Sequence, residues 1–317
     1  MKFLITGGAG FIGSNLVGFL LEKNFSVRVI DNFSTGRKEN LKEFEKDIEL
    51  IEGDIRNYDF VLKNSKGVEV VLHQAALPSV PRSIVDPLTS NDVNVNGTLN
   101  VLAAAKNNNV WRVVCASSSS VYGDTPELPK HEGMTLNPLS PYAVTKLTGE
   151  KYVKVFADIY GMETVALRYF NVFGPKQDPD SQYSAVIPKF ITAMLQGNQP
   201  VIFGDGEQSR DFTYISNVID ANYLAATADM KEFGLAVNCA SRGRITLNSL
   251  VDSINYILHS DILPVYAQPR KGDIIHSFAE IKLAEELFGY NPSVDFNTGL
   301  EKTIEYFRQK LFNKIKY

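Results

Sequence analysis

The sequence predicts an α/β protein, a Rossmann-type doubly wound parallel sheet followed by a smaller C-terminal α/β substrate domain. Three observations carry this prediction. The short apolar strand Phe3-Leu4-Ile5 runs into the glycine turn Thr6-Gly7-Gly8-Ala9-Gly10-Phe11-Ile12-Gly13, and an amphipathic helix follows through Leu21. A second strand, Ser26 to Ile30, ends in Asp31, about 20 residues beyond the turn. Apolar strand-like runs then alternate with helical stretches as far as Ala240, the pattern of a parallel sheet. With 317 residues there is room for a large domain over 1–172, with returning segments at about 211–242, and a smaller one over 173–317.

Composition removes several classes of function. With 44% hydrophobic and 21% charged residues the chain has the make-up of an ordinary globular protein. Its net charge of −4, with Lys and Arg scattered, gathers no nucleic acid. Cys115 and Cys239 lie far apart among apolar or small residues, without metal-ligand spacing, and read as buried thiols in a reducing compartment. The first residues enter a strand directly, leaving no room for a signal peptide, and no apolar run reaches membrane-spanning length. A cytoplasmic enzyme is expected, with no membrane and no nucleic-acid partner.

Each element then has a reason. In the glycine turn, Gly8, Gly10 and Gly13 satisfy the dinucleotide fingerprint, and Gly7, Gly10 and Gly13 a close variant. Such a turn brings backbone N–H groups and a helix N-terminus up to a pyrophosphate. Asp31 stands where a carboxylate takes ribose hydroxyls, and it would repel a 2′-phosphate, so NAD is expected rather than NADP. Arg37 and Lys38 lie nearby with the opposite sign. A third strand, Leu50 to Ile55, carries Asp54, which could reach an adenine or close a strand-end turn. The fourth, Val68 to Ala76, ends after Gln74 in the small residues Ala75 and Ala76, which let a cofactor pass closely. His73, one of four histidines, reads as a core histidine rather than a catalytic one. The loop after it offers Ser79 and Arg82 toward the strand ends, where ligands of α/β sheets bind, or toward solvent.

A helix is expected over Asn91–Asn107 and a fifth strand over Trp111–Ala116. That strand delivers Ser117-Ser118-Ser119-Ser120-Val121-Tyr122, a run of hydroxyls poorly suited to packing alone. Some 20 residues on, Ser140-Pro141-Tyr142-Ala143-Val144-Thr145-Lys146 opens a helix, Pro suiting its first turn. Tyr142 and Lys146 fall four apart on one face. A free phenol has a pKa near 10, so making it a base at neutral pH requires ~4 kcal/mol of preference for the phenolate. An ammonium one turn away is expected to supply part, and a second positive charge such as an oxidised nicotinamide the rest.

Glycine turn, strand-end acid, strand-end serine and Tyr-x-x-x-Lys, in this order, resemble the extended short-chain dehydrogenase/reductase family. Within it the chain is most similar to UDP-hexose 4-epimerases, over Met1 to about Leu300. The resemblance implies a catalytic set of Ser118, Tyr142 and Lys146. Tyr142 would remove a sugar hydroxyl proton, Ser118 would hydrogen-bond that hydroxyl, and Lys146 would bind the nicotinamide ribose. It also implies an NAD-binding set of Gly7, Gly10, Phe11, Ile12, Gly13, Asp31, Asn32, Ser34, Thr35, Gly36, Asp54, Ile55, Gln74, Ala75, Ala76, Asn94, Tyr142, Lys146 and Tyr169. Sister reactions fit less well. The family's 4,6-dehydratases carry an Asp-Glu pair, and its decarboxylases a Glu, where this chain has Ser119 and Ser120. A serine has no accessible pKa for that acid–base work.

The same resemblance extends to a UDP-sugar substrate. Tyr169 and Phe170 would border the nicotinamide, Asn171 the diphosphate, and Val186 the uracil. Arg210, with Arg270 and Asp273, would clamp phosphates and ribose, a planar guanidinium suiting a pyrophosphate. Ser79, Arg82, Ser118, Ser119, Ser120 and Tyr142 would line the sugar. Ser277 stands where epimerases restricted to UDP-glucose and UDP-galactose carry a tyrosine; a small residue leaves room for an N-acetyl group. UDP-GlcNAc/UDP-GalNAc is therefore the expected pair, with some UDP-glucose activity, and UDP-glucuronate the alternative. A non-catalytic dinucleotide sensor would have no need of Ser118, Tyr142 and Lys146 together. Relatives dimerise through the helices at Asn91–Asn107 and Pro141–Tyr160, so a homodimer is expected. The tail, Glu301 to Tyr317, reads as a helix with Ile304, Phe307, Leu311 and Ile315 on one face and lysines beside it, expected to pack on the small domain or to fray, with a membrane-surface helix as the alternative.

Overall fold

Strands buried on both faces organise the protein. A computed structural model describes residues 1–179, 185–269 and 275–315. The central sheet has seven strands: β1 (Lys2–Thr6), β2 (Ser26–Asp31), β3 (Ile48–Glu52), β4 (Val70–His73), β5 (Arg112–Ser118), β6 (Glu163–Tyr169) and Leu235–Cys239. Their order is Leu235–Cys239, β6, β5, β4, β1, β2, β3, and every neighbouring pair is parallel. Successive residues point to opposite faces of a strand. Phe3, Ile5, Val29, Leu72 and Val114 accordingly pack with α1 (Phe11–Glu22) and the helix Ile215–Thr227 on one face. Leu4, Ile30, Val71, Val113 and Ala166 pack on the other with α2 (Tyr58–Asn64), α5 (Gly97–Asn107) and α6 (Pro141–Tyr160). Both faces are covered, as parallel sheets require.

The chain winds outward from β1 to β3, then crosses back to start again at β4. This reversal opens a crevice at the C-terminal ends of β1 and β4, where open α/β sheets bind ligands. Beyond β6 the second half adds the helices Val186–Leu195, Leu247–Leu258, Lys282–Phe288 and Phe296–Ile315. Two small ladders join them: Val201–Phe203 beside Val265–Ala267, and Ser209–Arg210 against Ile245–Thr246. Ile187, Phe190, Leu250, Leu300 and Ile304 belong to the same apolar core as β1, so packing is continuous between the halves.

Several boundaries differ from expectation, each for a local reason. β4 stops at His73, because the backbone must leave the ladder to turn over the crevice. β3 ends at Glu52, and Asp54 lies in the turn beyond. The helix expected from Asn91 starts earlier, as α4 (Pro87–Asn91), and runs through a wide π turn at Asp92–Asn96 into α5. β6 ends at Tyr169; Asn171 takes a left-handed φ of 34°, and the short strand Val172–Phe173 pairs with Thr213–Tyr214 instead. The tail helix starts at Phe296 and buries Ile304 and Phe307 against the protein. No helix among the described residues is long and apolar enough to cross a membrane.

Candidate active site

The glycine turn is closed by contacts that exclude side chains. A Cβ on Gly13 would stand 2.2 Å from the Gly7 carbonyl oxygen, and Gly7, at φ 71°, lies against the backbone of Ala75. The turns after β1 and β4 therefore touch across the crevice. Gly10 precedes α1 without a side-chain cap, and the first helical turn holds no acidic residue. Its unpaired N–H groups, beginning at Phe11 and Ile12, and the positive helix end suit a pyrophosphate. Asp31 is buried and accepts from the N–H groups of Ala9 (2.9 Å) and Phe33 (2.8 Å). Burial raises its pKa and these bonds oppose the rise. A carboxylate has lone pairs to spare beyond two such bonds, so ribose hydroxyls fit it as well.

Around it, Ser34 N–H bonds to Asn32, whose amide donates to Asp54 at 2.8 Å. Thr35 lies in the following bend and Gly36 against Ala9 and Asp31. The Asp54 carboxylate also accepts from the backbone and guanidinium of Arg56, which with Asn32 hold its pKa near 2. Ile55 is buried beneath α5. Lys38 pairs with Glu52 at 2.9 Å, and Arg37 with Asp178 at 2.6 Å. This glycine cradle and strand-end acid fit a dinucleotide.

β5 carries Ser118 to its last position, and α6 brings Tyr142 to meet it. Ser140 caps α6 by accepting from Ala143 N–H, and Pro141 follows. The Tyr142 N–H donates to Ser83 on α3 (Val80–Val85), pinning the helix start. The Ser118 hydroxyl lies beside the Tyr142 phenol, and its oxygen accepts from Ser120 N–H at 3.2 Å. One turn on, Lys146 donates to the Ala116 carbonyl at 2.8 Å, with Nζ 5.9 Å from the Tyr142 ring centre. Burial pushes the phenol up to about 12, the nearby Ser118 hydroxyl pulling the other way. This corrects the expected depression of Tyr142: desolvation of the phenolate outweighs its polar neighbours. Burial also brings Lys146 down to about 8, opposed by Cys115 and Glu150. Ser119 and Ser120 lie in a short 3₁₀ turn, and the buried Ser120 hydroxyl has no partner among the described residues.

Behind this corner lies a polar lattice that the sequence reading missed. Arg168 and Glu150 make a two-pronged ion pair at 2.8 and 2.9 Å, both nearly fully buried. Ser117 donates to Glu150, Arg168 to the Tyr122 hydroxyl, and Tyr122 to Asn238. These groups tie β5, α6, β6 and Leu235–Cys239 together directly under Ser118. The available signal was an arginine inside the apolar strand Val165-Ala166-Leu167-Arg168, which demands a partner, and Glu150 one turn after Lys146. Likewise Gln74, Tyr169 and Asn222 close a ring: Gln74 donates to Asn222, Asn222 to Tyr169, and Tyr169 to Gln74. His73 is sandwiched between Thr6 and Thr98. Thr98 gives its proton to the Asn94 carbonyl, so Nε2 of His73 carries the hydrogen and Nδ1 accepts from Thr6. Burial, then the charge of Lys146, lower its pKa to about 3. Asn94 is buried and bonds to Leu77 and Thr145, joining the loop after β4 to α6. Ser79 caps α3 by accepting from Arg82 N–H.

A separate cavity of about 280 Å³ lies past the end of β6, near the lower end for small-molecule sites. Asn171, Val186 and Arg210 line it together with Lys189, Gln208 and the rings of Phe173, Phe190, Phe203 and Phe212. Its walls do not include Ser118, Tyr142 or Lys146. Arg210 is braced by the carbonyls of Ser209 and Ile275. Ser277 is buried beside this strand, its N–H donating to the Ser209 carbonyl, but is not part of the cavity wall. Arg270 and Asp273 lie outside the described residues.

Residues 3–240 match the NAD dependent epimerase/dehydratase family. A putative UDP-glucose 4-epimerase of Methanocaldococcus jannaschii is 39% identical, over 96% of this chain and 98% of that one. The UDP-N-acetylglucosamine 4-epimerase of Methanobrevibacter ruminantium, solved with UDP-N-acetylmuramic acid, superposes with a TM-score of 0.93 at 42% identity, covering 98% of both chains. The UDP-glucose 4-epimerase of Thermotoga maritima, solved with UDP-glucose, gives 0.93 at 36% identity, covering 98% of this chain and 100% of that one. With a glycine cradle, a strand-end acid and a Ser–Tyr–Lys corner on one doubly wound sheet, the chain belongs to the NAD dependent epimerase/dehydratase family.

Proposed function

We propose that the chain is an NAD-dependent UDP-hexose 4-epimerase, an isomerase whose preferred pair is UDP-GlcNAc/UDP-GalNAc, with activity on UDP-glucose and UDP-galactose. The observation that carries the reading is the juxtaposition of Ser118, at the end of β5, with Tyr142 on α6, and of Lys146 one helical turn further on, anchored on the Ala116 carbonyl. Reversible oxidation of the C4 alcohol, through a transient 4-keto sugar, is the chemistry that bound NAD supplies. Tyr142 takes the C4 hydroxyl proton and later returns it. Ser118 donates to the oxygen that changes charge and holds the phenol in line. Lys146, anchored on Ala116, presents its ammonium to the cofactor ribose and to the phenolate. A phenol held near 12 by burial becomes an effective base only when positive charge faces it, which couples proton removal to the oxidised cofactor.

Residues 1–172 with 211–242 hold the cofactor in this reading, and 173–317 mainly the nucleotide. The aromatic cavity takes the uridine, with Asn171 and Arg210 on the phosphates. Ser277, small and beside the Arg210 strand, favours the acetylated sugar. Val144, Val155 and Ile159 leave apolar surface exposed on α6, which supports a homodimer formed through α5 and α6.

A proton NMR time course with UDP-GlcNAc, UDP-glucose and UDP-glucuronate in separate tubes tests the proposal. Growth of a GalNAc anomeric signal without added NAD, faster than the change in the other tubes, is the expected result. Turnover of UDP-glucose alone would remove the argument from Ser277, turnover of UDP-glucuronate alone would reassign the sugar, and silence in all three would end the epimerase reading.

A further inference from the structure

Arg37 and Lys38 follow Asp31 closely enough to raise the question of a phosphorylated ribose, and the structure shows what restrains them. The Gly36–Arg37 backbone lies against the acid: a Cβ on Gly36 would be 2.9 Å from Asp31 Oδ2, and Arg37 N–H donates to the carbonyl of Ala9, whose own N–H donates to Asp31. Arg37 thus borders the pocket where Asp31 meets a ribose, and an arginine there is the usual receiver of a 2′-phosphate. Its guanidinium is instead engaged by Asp178 at 2.6 Å, a residue 141 positions away. The segment that delivers Asp178 is itself clasped onto the cofactor side. Lys176, in a left-handed conformation at φ 70°, pairs with Glu43 at 2.7 Å and donates to the Asn40 carbonyl. Asn15 on α1 donates to the Pro175 carbonyl at 3.2 Å. Lys38 has its own carboxylate in Glu52.

We infer that Asp178 is a specificity-determining residue for the dinucleotide: by engaging Arg37, whose backbone borders the Asp31 pocket, from across the molecule, it withholds that guanidinium from a 2′-phosphate and so enforces NAD over NADP. The inference rests on the proposed cofactor site and adds to it a residue from the other half of the chain. Discrimination then has two parts, the repulsion by Asp31 and the neutralisation of Arg37.

The test is an exchange experiment read by nucleotide content. Purified protein is incubated with equal NAD and NADP, desalted, and the retained nucleotides are quantified by mass spectrometry. Wild-type protein should retain almost only NAD. Asp178→Asn, which keeps shape and removes charge, should raise the bound NADP:NAD ratio about tenfold, since a freed guanidinium makes strong charge-assisted bonds to phosphate. Arg37→Gln should leave the ratio at the wild-type value, and the double variant should return to it. Lys176→Gln, which loosens the same segment without touching Arg37, should not move the ratio. An unchanged ratio in Asp178→Asn overturns the inference, as does an equal shift in Lys176→Gln, which would assign the effect to loosening rather than charge. If the wild-type protein retains neither nucleotide, the cofactor site itself falls, and the inference with it.

Discussion

The Ser118–Tyr142–Lys146 corner and the aromatic cavity are built from opposite materials. At the corner most polar groups have a fixed partner: Lys146 on Ala116, Ser118 on the Ser120 N–H, and Glu150 shared between Ser117 and Arg168. It is built on the end of a central strand and the inward face of the first turns of one twenty-residue helix. The cavity instead has aromatic walls, few polar groups, and parts gathered from many elements: the helix Val186–Leu195, the start of the helix Leu247–Leu258, short strands and connecting loops. Proton transfer needs atoms held within a fraction of an ångström, which a dense lattice supplies. A base and ribose need apolar area and a few orienting bonds, which short elements can present. Rigidity is thus concentrated where charge moves.

Substitutions should separate the two regions. The largest effect is expected at the phenol itself. Tyr142→Phe should cut kcat by about 10³-fold or more, the scale of general acid–base catalysis, while protein-bound NAD measured after purification stays near wild type. Next, Glu150→Gln should destabilise the fold by about 3–5 kcal/mol in urea denaturation, since it leaves Arg168 buried without its carboxylate. A loss below ~1 kcal/mol would mean that the lattice under Ser118 is not what makes this corner rigid.

His73 gives a smaller, pH-dependent effect. It stays neutral in the fold down to about 3, whereas an unfolded histidine takes its proton near 6.5. Between these values the unfolded chain binds more protons, so stability present above pH 6.5 is lost as pH falls through the window. Wild type should lose about 2 kcal/mol more than His73→Gln between pH 7 and pH 5, at ~1.4 kcal/mol per pH unit below 6.5. Equal losses would show that the histidine is already charged in the fold. The mildest change is expected in the cavity: Arg210→Lys should raise KM for the UDP-sugar about tenfold with kcat changed less, because a point charge replaces a planar fork. A fall confined to kcat would move Arg210 from the cavity to the chemistry.

Legibility in the sequence followed the range of the interactions. The glycine turn, Asp31 and the Tyr142–Lys146 spacing could be read directly, because each is set by backbone geometry within one turn or one strand–turn–helix unit. His73 was legible as core from its apolar neighbours alone. The break after Tyr169 was not, because the left-handed Asn171 and the partner strand Thr213–Tyr214 are imposed from elsewhere. Nor was the raised Tyr142 pKa, since proximity of a cation is visible in spacing while desolvation depends on everything packed around the ring.

By itself, then, the sequence determined the alternation of strands and helices, the glycine turn and the four-residue spacing of Tyr142 and Lys146, all products of local periodicity and spacing. Only the tertiary structure decided which polar groups meet: Arg168 with Glu150, Arg37 with Asp178, and Asn222 with Gln74 and Tyr169. Those partners lie 18 to 148 positions apart, and a pairing at such distance is fixed by chain topology and burial, which no local pattern encodes.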